Sequence, residues 1–139
     1  MTAFDEVEAG IAAVRAAPEG DGATAALLRL GEAVLEAWVR ARGETPTEGT
    51  HEGFRILALQ RQGARGEPSF NACRETCREL VYLHNLAAGV ADAAERRRLV
   101  GLAARVAMHL NLFVAGKLAE AALGDFCCAS RDAQRAAAE

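Results

Sequence analysis

A pair of cysteines offers the clearest chemistry in this chain of 139 residues. Cys73 and Cys77 are four positions apart, so on a helix their side chains lie on one face, one turn above the other and about 6 Å apart. Thiolates at this spacing suit two ligands of one zinc or other thiophilic ion. They do not suit a disulfide with each other, because its β-carbons must approach to within about 4.5 Å.

A third ligand would have to be a histidine. His84 shares the helix face but lies roughly 10 Å along the axis beyond Cys77, so it cannot share one ion with both thiols. If the next helix returns antiparallel from a turn near Asp92, residue numbers at equal height sum to about 184. His109 then lies level with the two thiols. The sequence therefore predicts Cys73, Cys77 and His109 as a candidate metal site.

A second interpretation of the thiols needs no metal. Free cysteine is often buried and packs as a small hydrophobic side chain. Zinc motifs of high specificity combine two close pairs of ligands, whereas only one such pair is present here. Cys127 and Cys128 stand far along the next helix and reach the site only from a second subunit or by a fold-back. We expect buried structural thiols and no cofactor, with zinc or another thiophilic metal as the alternative.

Sequence signatures of catalysis are missing from the chain. It contains no Cys-x-x-Cys and no His-Glu-x-x-His pattern, and it lacks the pair of Glu-x-x-His motifs that a di-iron bundle needs. Neither Ser69 nor Ser130 lies in a nucleophile motif. We therefore expect no catalytic residues and no enzymatic activity.

Five amphipathic segments must position these residues. A short first helix lies within residues 1–20, the second runs from about 24 to 42, the third covers 54–61, the fourth begins at 68 and the fifth runs from about 93 to 123. Glycine and proline predict linkers at 43–50 and 62–67, and a frayed tail is expected at 130–139. The sequence therefore predicts one all-α domain over 1–139: an up-and-down antiparallel helical bundle of about four to five helices with a long last helix.

The fifth helix suggests how the protein assembles. We expect its core stripe to consist of Leu99, Leu102, Val106, His109 and Phe113. At about 30 residues, or roughly 45 Å, this helix is longer than its neighbours and leaves an uncovered end. A second copy of the chain is the simplest partner that could cover this end of the helix. We therefore expect a homodimeric protein-interaction or accessory module with an unidentified protein partner, the alternative being a metal- or cluster-binding sensor or carrier.

Composition indicates the cellular location of the protein. Hydrophobic residues make up 51% and charged residues 25%, as in ordinary soluble domains. The first ten residues are acidic and have no apolar secretory region. The most apolar run, 106–116, is interrupted by His109 and Asn111, so no membrane span is expected. The cytoplasm follows by default.

Arginines concentrate near the junction of the third and fourth helices: Arg55, Arg61, Arg65, Arg74 and Arg78. Such a group can attract an anionic partner, but Glu75 and Glu79 interrupt it and no stacking aromatics accompany it. We expect a solvated surface with local ion pairs and no nucleic-acid partner.

Overall fold

The protein is an all-α bundle, as the sequence predicts. A computed structural model describes the backbone of residues 2–127 and the side chains of residues 2–122. Five α-helices and one 3₁₀ turn follow in order: α1 Ala3–Ala16, α2 Ala23–Ala41, α3 Arg55–Ala64, the 3₁₀ turn Pro68–Cys73, α4 Arg74–Gly89 and α5 Ala93–Cys127. The predicted tail at 130–139 lies outside the described residues.

Helix α5 is the centre of the bundle, since α1, α2 and α4 all pack against it. Helix α3 packs on α2 and α4 and does not join α5 in the main bundle. The short connections 17–22 and 90–92 make α1 a neighbour of α2, and α4 a neighbour of α5. One continuous core results, and its largest fully buried side chains include Leu27, Leu35, Ile56, Leu59, Phe70, Leu80 and Leu110.

Helix α1 begins at a capping box. Thr2 accepts a hydrogen bond from the backbone N–H of Asp5, and the Asp5 carboxylate accepts one from the backbone of Thr2. These two bonds satisfy donors that the first turn of a helix leaves without partners. Val7 and Ile11 are buried beneath α1, as their spacing predicts.

The end of α3 is fixed by an aromatic and an arginine of α2. Trp38 Nε1 and Arg42 Nη1 both donate to the Gly63 carbonyl oxygen, at 2.9 and 2.8 Å. A Cβ at position 63 would lie 2.8 Å from an atom of the Trp38 ring and 2.8 Å from one of Phe70. In the sequence Gly63 resembles a helix breaker. In the structure a glycine is required at this position because the two aromatic rings leave no space for a side chain.

The predicted linkers need one correction. The linker expected at 62–67 begins too early, because α3 continues to Ala64. Packing overrides the local turn signal: the Gln62 side chain is buried and holds the other predicted linker, 43–50, in place. Its Oε1 accepts from the Thr47 N–H at 2.8 Å, and its Nε2 donates to the Thr45 carbonyl at 2.8 Å.

The core stripe of α5 differs from the predicted one. Leu99 is buried as expected, but His109 is exposed, and Leu102, Val106 and Phe113 are only partly buried. The stripe that faces the bundle is instead rich in small residues: Val100, Ala103, Ala104, Ala107, Leu110 and Val114. Small side chains allow α2 and α4 to approach α5 closely, and the burial of many alanines decides the rotation of the helix.

Helix α5 is also long and apolar. Its 35 residues extend for roughly 52 Å. Within the described residues it is the one helix that could cross a membrane by length and composition, but 44% of its most apolar stretch is buried inside the protein.

Candidate functional site

The two predicted thiols lie together in the core. The 3₁₀ turn ends at Cys73 and α4 begins at the next residue, so Cys77 follows one helical turn later. Both cysteines are free, and their exposed fractions are 1% and 0%. The Cys73 thiol donates to the Phe70 carbonyl oxygen at 3.3 Å, which ties it to the preceding turn.

The pKa values of the two thiols are shifted in opposite directions. The hydrogen bond from Cys77 lowers the pKa of Cys73 despite its burial, and a hydrogen bond with the Gln60 side chain acts in the same direction. The pKa of Cys77 lies well above its ordinary value because it is hydrogen-bonded to Cys73 and buried. The pair can therefore lose one proton, from Cys73, much more readily than two.

His109 does not join the thiols. It is exposed and lines a cleft of about 280 Å³ between α4 and α5, together with Thr76, Glu79, Arg105 and Val106. Its height along α5 is close to that expected, since residues 76 and 79 are its neighbours across the cleft. The rotation of the helix is what differs, because Ala107 occupies the buried side. The predicted grouping of Cys73, Cys77 and His109 is therefore not formed.

The other two histidines have structural surroundings. His84 Nδ1 lies 2.9 Å from Thr24 Oγ1, and the His84 ring meets Phe54 edge to face. His51 Nε2 lies 3.4 Å from a carboxylate oxygen of Glu52. Among the described residues, no three His, Cys, Asp or Glu side chains converge as metal ligands would. The side chain of Cys127 and all of Cys128 lie outside the described part of the chain.

An exposed apolar surface was not anticipated from the sequence. Tyr82, Leu86 and Leu112 are 61%, 38% and 62% exposed, and they are the large hydrophobic side chains that the described structure leaves exposed. Tyr82 and Leu86 are four residues apart on the outer side of α4, away from Cys77. That spacing on the polar side of an amphipathic helix is the signal that could have identified them.

A small basic cavity lies where α3 and α4 meet the loop before α3. Its volume is about 50 Å³, and it is lined by His51, Glu52, Leu57, Gln60, Arg61, Arg74 and Arg78. Three of the five arginines grouped in the sequence therefore converge. Arg55 points elsewhere, forming ion pairs with Glu32, Glu36 and Glu48, and Arg65 lies 3.8 Å from Glu44.

A tight turn forms one wall of this cavity. The backbones of His51 and Phe54 exchange two hydrogen bonds, of 3.1 and 3.0 Å. Between them, Glu52 and Gly53 have φ angles of 54° and 87°, the pattern of a type I′ turn. Glu52 adopts this left-handed conformation although it has a side chain, and its carboxylate lies 3.3 Å from Arg78 of α4. The turn is thereby fastened to α4.

Comparison of the chain with protein-family models, with curated proteins and with solved structures finds no match. The function proposed below therefore rests on the geometry of the chain itself.

Proposed function

We propose that the protein is a non-catalytic, homodimeric interaction module of the cytoplasm. The observation that carries this proposal is that Tyr82, Leu86 and Leu112 all lie on the outer sides of α4 and α5. We call this surface, formed by Glu79, Tyr82, Leu86, Arg105, His109 and Leu112, the α4–α5 face. Large exposed apolar side chains on two adjacent helices support a protein contact on that side of the bundle.

The positions of these side chains suit a second copy of the same chain. Glu79 and Arg105 line one cleft, so they mark a common height on α4 and α5. Leu86 follows Glu79 by seven residues, and Leu112 follows Arg105 by seven. Because the two helices run in opposite directions, the leucines lie about 10 Å to either side of that height. A two-fold axis that runs parallel to the helices between Glu79 and Arg105 can therefore place α4 of one copy on α5 of the other, with the Leu86 side chains of both copies at one end of the contact and the Leu112 side chains at the other.

Charge supports the same arrangement. Glu79 and Arg105 line the same cleft, but no ion pair within 4 Å joins them in the described structure. In a two-fold contact each can pair with its counterpart on the partner copy, so the surface is complementary to itself. An acidic and a basic residue at the centre of the face favour a second copy over a partner of uniform charge.

Sedimentation velocity of the full chain in reducing buffer tests the proposal. A dimer is expected at micromolar concentration, and reductant excludes bridges through Cys127 or Cys128. Leu112→Glu should give a monomer, because it places a charge in the apolar contact. Ala12→Glu, at an exposed site on α1, is the matched control and should remain dimeric. A wild-type monomer at about 100 μM, well above the Kd of a micromolar dimer, would overturn the proposal.

Charge reversal provides the sharper variant. Glu79→Arg and Arg105→Glu should each weaken the dimer, because like charges then meet across the axis. The double variant Glu79→Arg/Arg105→Glu should recover it, since complementarity is restored. Recovery is specific to a contact in which the two positions face each other, and a double variant that stays monomeric contradicts the proposed axis.

Metal binding remains a second proposal, now with two identified ligands instead of the three predicted from the sequence. Its support is the adjacent pair of thiols, Cys73 and Cys77, of which one has a lowered pKa. Two buried thiolates are soft donors for zinc or a similar ion. A complete site would have to draw its other ligands from beyond the described residues or from a partner copy.

A further inference from the structure

The geometry points to a phosphate-binding site in the small basic cavity, which we call the arginine pocket and define by His51, Gln60, Arg61, Arg74 and Arg78. Its walls come from three separate parts of the chain: the turn 51–54, α3 and α4. The pocket shares no lining residue with the thiol pair or with the α4–α5 face, and neither the dimer nor a metal is needed for it.

The charge of the pocket is unbalanced. Three arginines and one glutamate line it, which leaves two positive charges when His51 is neutral. Glu52 lies 3.3 Å from Arg78, so that pair is satisfied. Neither Arg61 nor Arg74 forms an ion pair within 4 Å with any residue of the described structure. Arg61 and Arg74 therefore bring two positive charges without ion-pair partners to a cavity whose one carboxylate, Glu52, is paired with Arg78, and an anion would complete the site.

The base of the pocket is a buried polar side chain. Gln60 is buried with only 2% of its surface exposed, although it lines the pocket. Its Nε2 donates to the Phe70 carbonyl oxygen at 3.3 Å, and its side chain is also hydrogen-bonded to Cys73. The core therefore holds this wall of the pocket in place.

The size and shape favour a phosphate group. A space of about 50 Å³ holds a few heavy atoms rather than a whole nucleotide. The arginines that line it belong to two different helices, α3 and α4, and donors on two elements suit the several oxygens of a tetrahedral anion better than a planar carboxylate. A phosphate monoester carries about −1.5 to −2 charges at pH 7, close to the two positive charges of the lining.

Two larger clefts adjoin the pocket and leave room for the rest of a phosphorylated ligand. One, of about 320 Å³, shares His51 and Arg61 with it. The other, of about 580 Å³, shares Glu52, Leu57 and Arg78 and continues past Tyr82. The phosphate group would thus occupy the middle of a groove between α3 and α4.

Titration of isotopically labelled protein with inorganic phosphate, at constant ionic strength set by chloride, tests the site by NMR. Saturable shifts are expected at the backbone amides of residues 51–54, 60–61 and 74–78. Arg61→Gln and Arg74→Gln should each weaken binding about tenfold, because each removes a charge-assisted hydrogen bond. Arg97→Gln, an exposed arginine at the start of α5, is the matched control and should bind phosphate as the wild type does.

Two results would overturn the site. One is a phosphate response no larger than that of chloride, and the other is an equal loss of binding in Arg97→Gln and Arg61→Gln. Circular dichroism of each variant shows whether it is folded. Comparing inorganic phosphate with phosphoserine identifies the source: tighter binding of the ester points to a phosphorylated ligand, and equal binding to the free anion.

Discussion

Trp38 and Phe70 stack face to face, with ring centroids 4.6 Å apart and planes within 4° of parallel. Trp38 belongs to α2 and Phe70 to the 3₁₀ turn before α4, so the stack joins two parts of the chain that are distant in sequence. The Gly63 backbone lies against both rings. The three residues hold α3 between α2 and α4, and α3 in turn carries Gln60 and Arg61 of the arginine pocket.

The first prediction concerns the space at this stack. Gly63→Ala should lower the free energy of unfolding by about 1–3 kcal/mol, because the new Cβ overlaps two aromatic rings that cannot move apart freely. Urea denaturation measures the change. Gly116→Ala is the matched control: nothing lies within 4 Å of a Cβ there, and alanine should stabilise the helix by about 0.5–1 kcal/mol. Equal effects at both glycines would contradict the packing described.

The second prediction concerns pH and the thiol pair. The pKa of Cys77 is raised well above the ordinary 9.0 by its hydrogen bond to Cys73 and by burial. Below pH 9.0 the Cys77 thiol is protonated in both the folded and the unfolded state. As the pH rises above 9.0, this thiol ionises in the unfolded chain but stays protonated in the folded protein. The free energy of unfolding should therefore fall above about pH 9, by at most about 1.36 kcal/mol per pH unit for this group.

Two variants separate the thiols in that experiment. Urea denaturation at pH 7 and pH 10 should show a smaller alkaline loss for Cys77→Ala than for the wild type. Cys73→Ala should retain only part of the loss, because it removes the hydrogen bond that is the largest cause of the raised pKa of Cys77 and leaves the effect of burial. The lowered pKa of Cys73 acts in the opposite direction, adding stability as the pH rises through its folded value. Identical pH profiles for all three proteins would exclude this account.

The third prediction separates structural thiols from metal ligands. Elemental analysis of protein purified without a chelating column should find much less than one metal ion per chain, because the described residues offer no third ligand beside Cys73 and Cys77. A thiol reagent should react slowly with the folded protein and rapidly in denaturant, since both cysteines are buried. One bound zinc per chain, lost in Cys73→Ala/Cys77→Ala, would instead support the metal-binding alternative.

The fourth prediction concerns a polar residue between α1 and α5. Asn111 is buried, and its Nδ2 donates to the Phe4 carbonyl oxygen at 3.1 Å, whereas its Oδ1 has no hydrogen-bond partner in the described structure. Asn111→Leu should raise the free energy of unfolding by about 1 kcal/mol, because it removes a buried acceptor that is left unsatisfied. Thermal and urea unfolding measure this change. Asn111→Ala is the control and should be less stable than Asn111→Leu, because it leaves a cavity.

The sequence is sufficient for the fold class because helical periodicity and turn residues are local signals. It is not sufficient for the rotation of α5. The stripe that contains Val106 and His109 has larger side chains than the stripe that contains Ala103 and Ala107, so hydrophobicity alone favours the wrong side. Close packing of three helices on α5 favours alanine, and that preference depends on neighbours that are distant in sequence.

In the candidate sites, too, the features set by local sequence are predictable and the features set by tertiary packing are not. The pairing of Cys73 with Cys77 is set by one helical turn and was predicted, whereas the contribution of His109 depended on the rotation of α5 and was wrong. The sequence grouped five arginines, but only the fold distinguishes Arg61, which faces the pocket, from Arg55, which is neutralised by glutamates of α2 and the preceding loop. The Trp38 contact with Gly63 could not be foreseen, because a glycine in sequence does not reveal which rings will lie against it.

The central position of α5 also affects how the chain acquires its structure during synthesis. Helices α1, α2 and α4 all place their apolar sides on a helix that is made after them. At about 5–20 residues per second, a ribosome needs one to several seconds to add the stretch from Ala93 to Val114. During that interval the earlier helices can pack on one another, but the sides of α1, α2 and α4 that α5 covers have no partner. Chaperone binding to nascent chains is therefore expected to be strongest before α5 emerges and to end soon afterwards.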